Sequence, residues 1–237
     1  MSAHLTEEEQ LEALKRWWKE NGKNTVIAVV VAVSGYFGFE FWQEQTRVAD
    51  ELASEQYQIL VEAVIPAPGT VLSEAQRATA ESLAADLKQN AGSGFYGQSA
   101  ALYMAKLAVD TGDLKTAQSE LEWLLEQQPE QAMALVARLR LARILAAAGH
   151  YDSALNSLQG TDLAGFSARY AEVRGDILVA KGDLEAARNA YQLAQQSLTE
   201  RDYEMRSALQ VKLDDLAVAT DVTEPAAVPE NTEDDAA

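Results

Sequence analysis

The sequence contains no cysteine and only two histidines, His4 and His150, among its 237 residues. The lack of cysteine excludes disulfide bonds, thiolate metal ligands and thiol nucleophiles. His150 falls in a turn between two predicted helices, so the two histidines cannot build a Ser/His/Asp triad or a histidine-rich metal site. Phosphate-binding glycine loops and the HExxH motif are also absent. The sequence therefore predicts a protein that is not an enzyme and that uses no metal or cofactor.

Basic residues are scarce as well. The chain has 19 Lys and Arg residues against 37 Asp and Glu residues, which gives a net charge of -18. Proteins that bind nucleic acid neutralise phosphates with clustered Lys and Arg, so the composition predicts no nucleic-acid partner. The many carboxylates are spread at helical surface spacing, which is typical of solvated helix faces.

Charged residues are missing from one long segment near the N-terminus. Residues 25–39 carry none, and residues 25–42 form a helix of roughly 27 Å, which is enough to cross the hydrocarbon core of a bilayer. A buried core helix and a signal peptide cleaved near Ala32 are the alternatives. Nothing else in the first 50 residues could cover a core helix, and the apolar core of the signal peptide would be too short. The sequence thus predicts an uncleaved membrane anchor. The anchor residues are the flanking tryptophans and the small and apolar residues of the span: Trp17, Trp18, Val26, Ala28, Ala32, Gly35 and Trp42.

Basic residues flank this span unequally. Four precede it, Lys15, Arg16, Lys19 and Lys23, whereas Arg47 is the only one among the twenty residues that follow. Basic residues near a span remain on the cytoplasmic side of the membrane. We therefore expect residues 1–24 in the cytoplasm and the rest of the chain to be exported. In a Gram-negative bacterium the span would lie in the inner membrane and the body in the periplasm.

Residues 1–24 have a helical pattern of their own. Leu11, Leu14 and Trp18 recur at helical spacing, and Asn21 and Gly22 are expected to end the helix. This pattern predicts a short amphipathic helix that lies on the cytoplasmic membrane surface. Docking into a groove on a partner protein is the alternative.

After the span, residues 43–218 have helical periodicity and no alternating strand pattern, which predicts an all-α body. Prolines 66 and 68 break the first helix, Ser73 starts the next, and the glycines at 92 and 94 separate it from the following one. A Gly-x-(Leu/Tyr)-x-x-Ala turn then occurs three times, at spacings of 37 and 33 residues. Its three copies are Gly112, Asp113, Leu114 and Ala117; Gly149, His150, Tyr151 and Ala154; and Gly182, Asp183, Leu184 and Ala187.

This repeat resembles the tetratricopeptide repeat, a helical hairpin of 34 residues. In the third unit the resemblance extends to Gly175, Tyr191 and Ala194, and in the first unit Pro129 ends the hairpin. The resemblance implies a solenoid of helical hairpins, which follows the predicted membrane helix in an all-α chain.

In such a solenoid the first helix of each unit forms an inner surface that binds partners. Packing between hairpins is an equally open alternative for several of its residues. Repeat domains that clamp a terminal carboxylate use Lys and Asn at two of these positions, where the first unit has Leu102 and Lys106, so that role is not predicted. The inner-surface candidates are Leu102, Lys106, Val109, Leu139, Arg143, Arg169, Glu172, Asp176 and Val179.

The last segment, residues 219–237, is rich in Asp and Glu and contains no basic residue. It has too few apolar residues to bury a core, so it is predicted to be a disordered, solvated tail. Docking to a basic partner is the alternative.

Three segments are more specific than the repeat pattern alone. They are KRWWKENGK at 15–23, GYFGFEFWQ at 35–43 and VKLDDLAV at 211–218. With the repeats, they resemble the YfgM family of ancillary subunits of the bacterial SecYEG translocon, over about residues 7–218. The resemblance implies association with SecYEG and with the membrane-anchored chaperone PpiD, and a role in passing exported client proteins to periplasmic chaperones. A scaffold for cell-envelope assembly and a regulator of an envelope stress response are the alternatives.

Overall fold

The computed structural model describes residues 7–66, 70–160, 163, 165–200 and 202–223, and every regular element among them is an α-helix. The all-α prediction is therefore confirmed. His4 and most of the acidic tail lie outside these residues. The contacts between residues group the chain into two compact units, Met1–Glu55 and Gln56–Ala237. The helices are α1 (Glu7–Ala63), α2 (Glu74–Ala91), α3 (Phe95–Asp110), α4 (Leu114–Glu126), α5 (Gln131–Ala147), α6 (Tyr151–Ser157), α7 (Ser167–Lys181), α8 (Leu184–Gln196) and α9 (Tyr203–Thr223).

Helix α1 contains the predicted span. It is long and apolar enough to cross a membrane, with a mean hydropathy of 1.6 over its most apolar window. The expectation that a separate short helix ends at Asn21 and Gly22 is wrong, because α1 continues through both. The side chain of Asn21 donates to the Trp17 carbonyl at 3.3 Å, and the Thr25 hydroxyl donates to the Asn21 carbonyl at 3.0 Å. A glycine within a helix costs only about 1 kcal/mol, so these residues do not stop it.

The predicted breaks in the following segment are present. Helix α1 ends at Ala63, just before the prolines, and residues 67–69 lie outside the described part of the chain. Ser73 caps α2 with a capping box: its hydroxyl accepts from the Gln76 amide at 3.3 Å, and the Gln76 side chain accepts from the Ser73 amide at 3.0 Å. The break at 92–94 separates α2 from α3.

Three helical hairpins come next, α3 with α4, α5 with α6, and α7 with α8. Each turn contains a glycine with a positive φ, of 78° at Gly112, 81° at Gly149 and 90° at Gly182, a conformation that side chains with a Cβ rarely adopt. The predicted alanines Ala117, Ala154 and Ala187 are fully buried where the paired helices meet. The structure thus confirms the hairpin repeat.

The third hairpin has a close helix contact at Gly175. A Cβ atom added to Gly175 of α7 would collide with the aromatic ring of Tyr191 of α8. The Tyr191 hydroxyl donates a hydrogen bond to Asp176 Oδ1 at 2.8 Å. Glycine is therefore required at 175 by the ring that packs on it, and not by its backbone conformation.

Two apolar clusters make up the core. The larger draws on α3 to α7, and the smaller joins α7, α8 and α9 through residues that include Leu178, Ala190 and Leu209. Helix α9 packs on α8 and continues to Thr223, which is beyond the tail boundary expected at 219. Residues 219–223 thus extend a helix whose buried Leu209 and Leu216 hold it to the body.

We expect Ala187→Leu to destabilise the body by about 1–3 kcal/mol, because the added atoms would overpack the contact between α7 and α8. Thermal unfolding of the full chain in detergent, followed by circular dichroism, measures the effect. The matched control is Ala180→Leu, which makes the same change at an exposed position of α7. Equal melting temperatures for the two variants would contradict the close crossing at Ala187.

Candidate partner-binding groove

A groove of 540 Å³ lies between α3, α4 and α5. We call it the α3–α5 groove. Its lining is mostly apolar, and charged side chains are contributed by α3 and α5. The apolar residues are Ala105, Val109, Leu114, Leu121, Ile144 and Ala147, and the charged residues are Lys106, Asp110, Arg140 and Arg143.

The structure brings three of the predicted inner-surface residues together in this groove: Lys106, Val109 and Arg143. Leu102 is instead partly buried against the main core. Leu139 is only 7% exposed and belongs to that core. For Leu139 this burial favours the packing alternative over a place on the partner-binding surface.

Arg140 lines the groove and was not predicted. It lies one residue from Leu139, or about 100° around the helix, whereas the other predicted residue of α5, Arg143, does line the groove. The observed face consists of Arg140, Arg143, Ile144 and Ala147, at the i, i+3, i+4, i+7 spacing of one helix side. Helix α5 is apolar around most of its circumference, so hydrophobic periodicity gives little indication of which side packs inward.

The charges around the groove are unbalanced. Lys106 Nζ lies 2.7 Å from Asp110 Oδ2. Within the described part of the chain neither Arg140 nor Arg143 forms an ion pair. The two guanidinium groups stand three residues apart on one helix face, where like charges repel each other. Three cations thus surround the groove with a single carboxylate, in a chain whose net charge is -18.

The predicted candidates of the third unit lie outside the groove, and two of them, Glu172 and Asp176, contact helix α9. Lys212 of α9 contacts Glu172 Oε1 at 3.0 Å and Asp176 Oδ1 at 2.6 Å, and Arg169 Nη1 lies 3.2 Å from Glu172 Oε2. Glu172 is only 7% exposed. These carboxylates bind the chain's own C-terminal helix, so the inner surface is not open along all three units. Val179 remains exposed at the far end of α7.

These contacts shift two pKa values. Burial, followed by the hydrogen bond to Asp176, raises the pKa of the Tyr191 hydroxyl. For Lys212, burial alone would lower the pKa, but the bonds to Asp176 and Glu172 outweigh it and the net pKa is raised. The ammonium form of Lys212 is therefore the form that holds α9 on α7.

The anchor residues all lie on α1. Trp17, Trp18, Val26 and Trp42 have exposed side chains, and the Trp17 and Trp18 rings are 6.3 Å apart. A Cβ added to Gly35 would meet nothing within 4 Å. Ala32 and Ala28 lie one and two turns before Gly35, so these three small residues share one side of the helix.

Lys212→Met should destabilise the body by about 1–3 kcal/mol, because it leaves the buried Glu172 paired with Arg169 alone. Thermal unfolding of the full chain measures this loss, with Lys115→Met on the exposed side of α4 as the matched control. Adding Glu172→Gln should recover part of the loss, since no buried charge then remains. Additive effects of the two changes would contradict the ion-pair network.

The same contact predicts a pH dependence. The folded-state pKa of Lys212 lies above the unfolded value of about 10.4, so its contribution is fully present below that pH. It is lost as the pH rises through the folded-state pKa. The stability difference between wild type and Lys212→Met should therefore stay constant between about pH 7 and pH 9.

Comparisons with known proteins agree with this fold. A family model described as a tetratricopeptide repeat-like domain matches residues 15–218. The chain is thus a tetratricopeptide repeat-like protein with an N-terminal helix able to span a membrane, and such a fold favours a binding role over catalysis.

Three curated relatives are each named ancillary SecYEG translocon subunit. The Haemophilus influenzae protein is 33% identical over 86% of this chain and 96% of its own length. The Aggregatibacter actinomycetemcomitans protein is 31% identical over 91% of this chain, and the Escherichia coli protein 30% over 92%, both along their whole length. The chain belongs to the family of ancillary SecYEG translocon subunits.

Proposed function

We propose that this chain is a membrane-anchored, non-enzymatic subunit of the Sec translocon whose repeat body binds other proteins in the periplasm. Through the α3–α5 groove it binds the membrane-anchored chaperone PpiD or the exported proteins, and so helps to pass those clients to periplasmic chaperones. The observation that carries this proposal is an open, mostly apolar groove lined by Arg140 and Arg143, which form no ion pair among the described residues.

Association with SecYEG is supported by the names of the relatives, which describe them as subunits of that translocon. A protein-binding role is supported by the groove, because stacked helical hairpins present such concave surfaces to extended partners. The apolar lining supplies contact area, and the charged side chains around it supply specificity.

A periplasmic body is supported by the basic residues that flank the span. Four of them precede it and Arg47 follows it, which favours an N-terminus in the cytoplasm. The aromatic residues at both ends of the segment, including Trp18 and Trp42, match the side chains that settle at membrane interfaces.

The topology predicts the result of proteolysis on spheroplasts. Protease added to spheroplasts should digest the body and leave the first 24 residues, with the span, protected. Immunoblotting with tags at each end of the chain reads out both fragments. A body that resists digestion until the membrane is lysed would reverse the orientation and place the binding surface in the cytoplasm.

Val109→Asp should weaken partner capture about tenfold, equivalent to about 1.4 kcal/mol, because it puts a carboxylate into the apolar lining. Val109 is 45% exposed, so the body should still fold. The measurement is the recovery of SecYEG, of PpiD and of a crosslinked exported client with the full chain, after solubilisation of membranes in detergent.

The matched control is Val211→Asp, which makes the same change at an exposed position of α9. Recovery of PpiD and client should fall for Val109→Asp and not for Val211→Asp. SecYEG recovery distinguishes binding through the groove from binding through the membrane span. If SecYEG binds the span, it should be recovered with both variants. Unchanged recovery of all three would place binding outside the groove.

A further inference from the structure

We infer that the α3–α5 groove takes an acidic partner segment, in which a large apolar side chain is flanked by Asp or Glu. The inference rests on the proposed function, since it names the chemistry of the partner that the groove binds. Apolar atoms of the segment would occupy the lining, and its carboxylates would pair with Arg140 and Arg143.

Charge complementarity favours carboxylates in the partner. Arg140 and Arg143 have no ion-pair partner among the described residues, and they line the same groove. Guanidinium groups bind carboxylates through two parallel hydrogen bonds, which gives both strength and orientation. A carboxylate-bearing segment would remove the repulsion between the two arginines, whereas a basic segment would increase it. Lys106 already forms an ion pair with Asp110 at 2.7 Å, so it contributes less to the preference for an acidic partner segment.

The apolar lining also requires an apolar side chain in the partner segment, in addition to its carboxylates. A groove of 540 Å³ falls within the range of pockets that enclose a ligand of several side chains. Val109 and Ile144, with alanines and leucines around them, offer no polar partner inside. A segment made of charged residues alone would leave this surface in water, so a large apolar side chain is required beside the carboxylates.

The chain's own acidic residues 219–237 are one source of such a segment, but they contain no Leu, Ile, Met, Phe, Tyr or Trp. Their apolar side chains are alanines, valines and prolines, which fill the groove less completely than a large side chain. A segment of another protein therefore fits the groove better than this tail does.

Site-specific photocrosslinking tests the inference directly. The full chain with Val109→p-benzoylphenylalanine is irradiated in cells, and the crosslinked peptide is identified by mass spectrometry. Val211→p-benzoylphenylalanine on α9 serves as the control position. The expected product is a segment of another protein in which Asp or Glu flanks a large apolar residue.

The other products have distinct meanings. A neutral or basic partner segment would overturn the acidic chemistry and leave the proposed function intact. A crosslink to residues 219–237 would make the chain's own tail the occupant and overturn the inference. Failure to crosslink at Val109, with the variant folded and inserted, would remove the groove from the proposed function as well.

A charge reversal gives an independent measurement. Arg140→Glu with Arg143→Glu should lower the yield of the Val109 crosslink at least tenfold. Lys115→Glu with Arg174→Glu is the matched control, since it changes the net charge equally at exposed positions outside the groove. Equal yields from the two double variants would overturn the role of the arginines even if the crosslinked segment is acidic.

Discussion

The close contact between paired helices at small residues is the constraint on which the rest of the body depends. Ala117, Ala154 and Ala187 are fully buried at equivalent places in three successive hairpins. Helix axes approach to about 8 Å only when the side chains at the crossing are small. The distance between the two helix axes of a hairpin determines the position of its first helix. It therefore fixes how the first helix of one hairpin meets the next, which is where the α3–α5 groove opens.

The groove is lined by the first two hairpins, whereas the third hairpin packs against helix α9. Helix α9 is held by buried leucines on α8 and by Lys212 on Glu172 and Asp176. The inner carboxylates of α7 are thus used by the chain itself. Within the described part of the chain, Arg140 and Arg143 of α5 have no such partner. The same solenoid therefore has an occupied acidic side near α9 and an open basic groove between α3 and α5.

The sequence predicted the parts of the fold that depend on local chemistry. Glycine at the three turns, alanine at the crossings and Ser73 at a helix start each follow from backbone conformation, close packing or capping, and all are in place. The expected helix end at Gly22 was wrong because the surrounding helical residues outweigh the low helix propensity of Asn21 and Gly22. Hydrogen bonds and the helix on both sides of Gly22 keep it helical.

The binding surface was harder to predict because it depends on helix rotation. Helix α5 is apolar on most sides, so nothing in its pattern separates Leu139, which is core, from Arg140, which lines the groove. In the third unit, the partner of Glu172 is Lys212, 40 residues away in sequence. Helical periodicity contains no information about such a contact, and only the packed structure reveals that it covers the inner face of α7.

A net charge of -18 does not argue against an acidic partner in this groove. Charges on a protein surface are screened beyond about 8 Å at physiological ionic strength, so most carboxylates of the body act weakly on a segment inside the groove. Their summed field acts mainly on the approach of the partner and slows association. Once the segment is seated, contacts with Arg140 and Arg143 determine dissociation. The body's charge thus reduces non-specific capture of acidic chains, while the groove retains the segment that also fills its apolar lining.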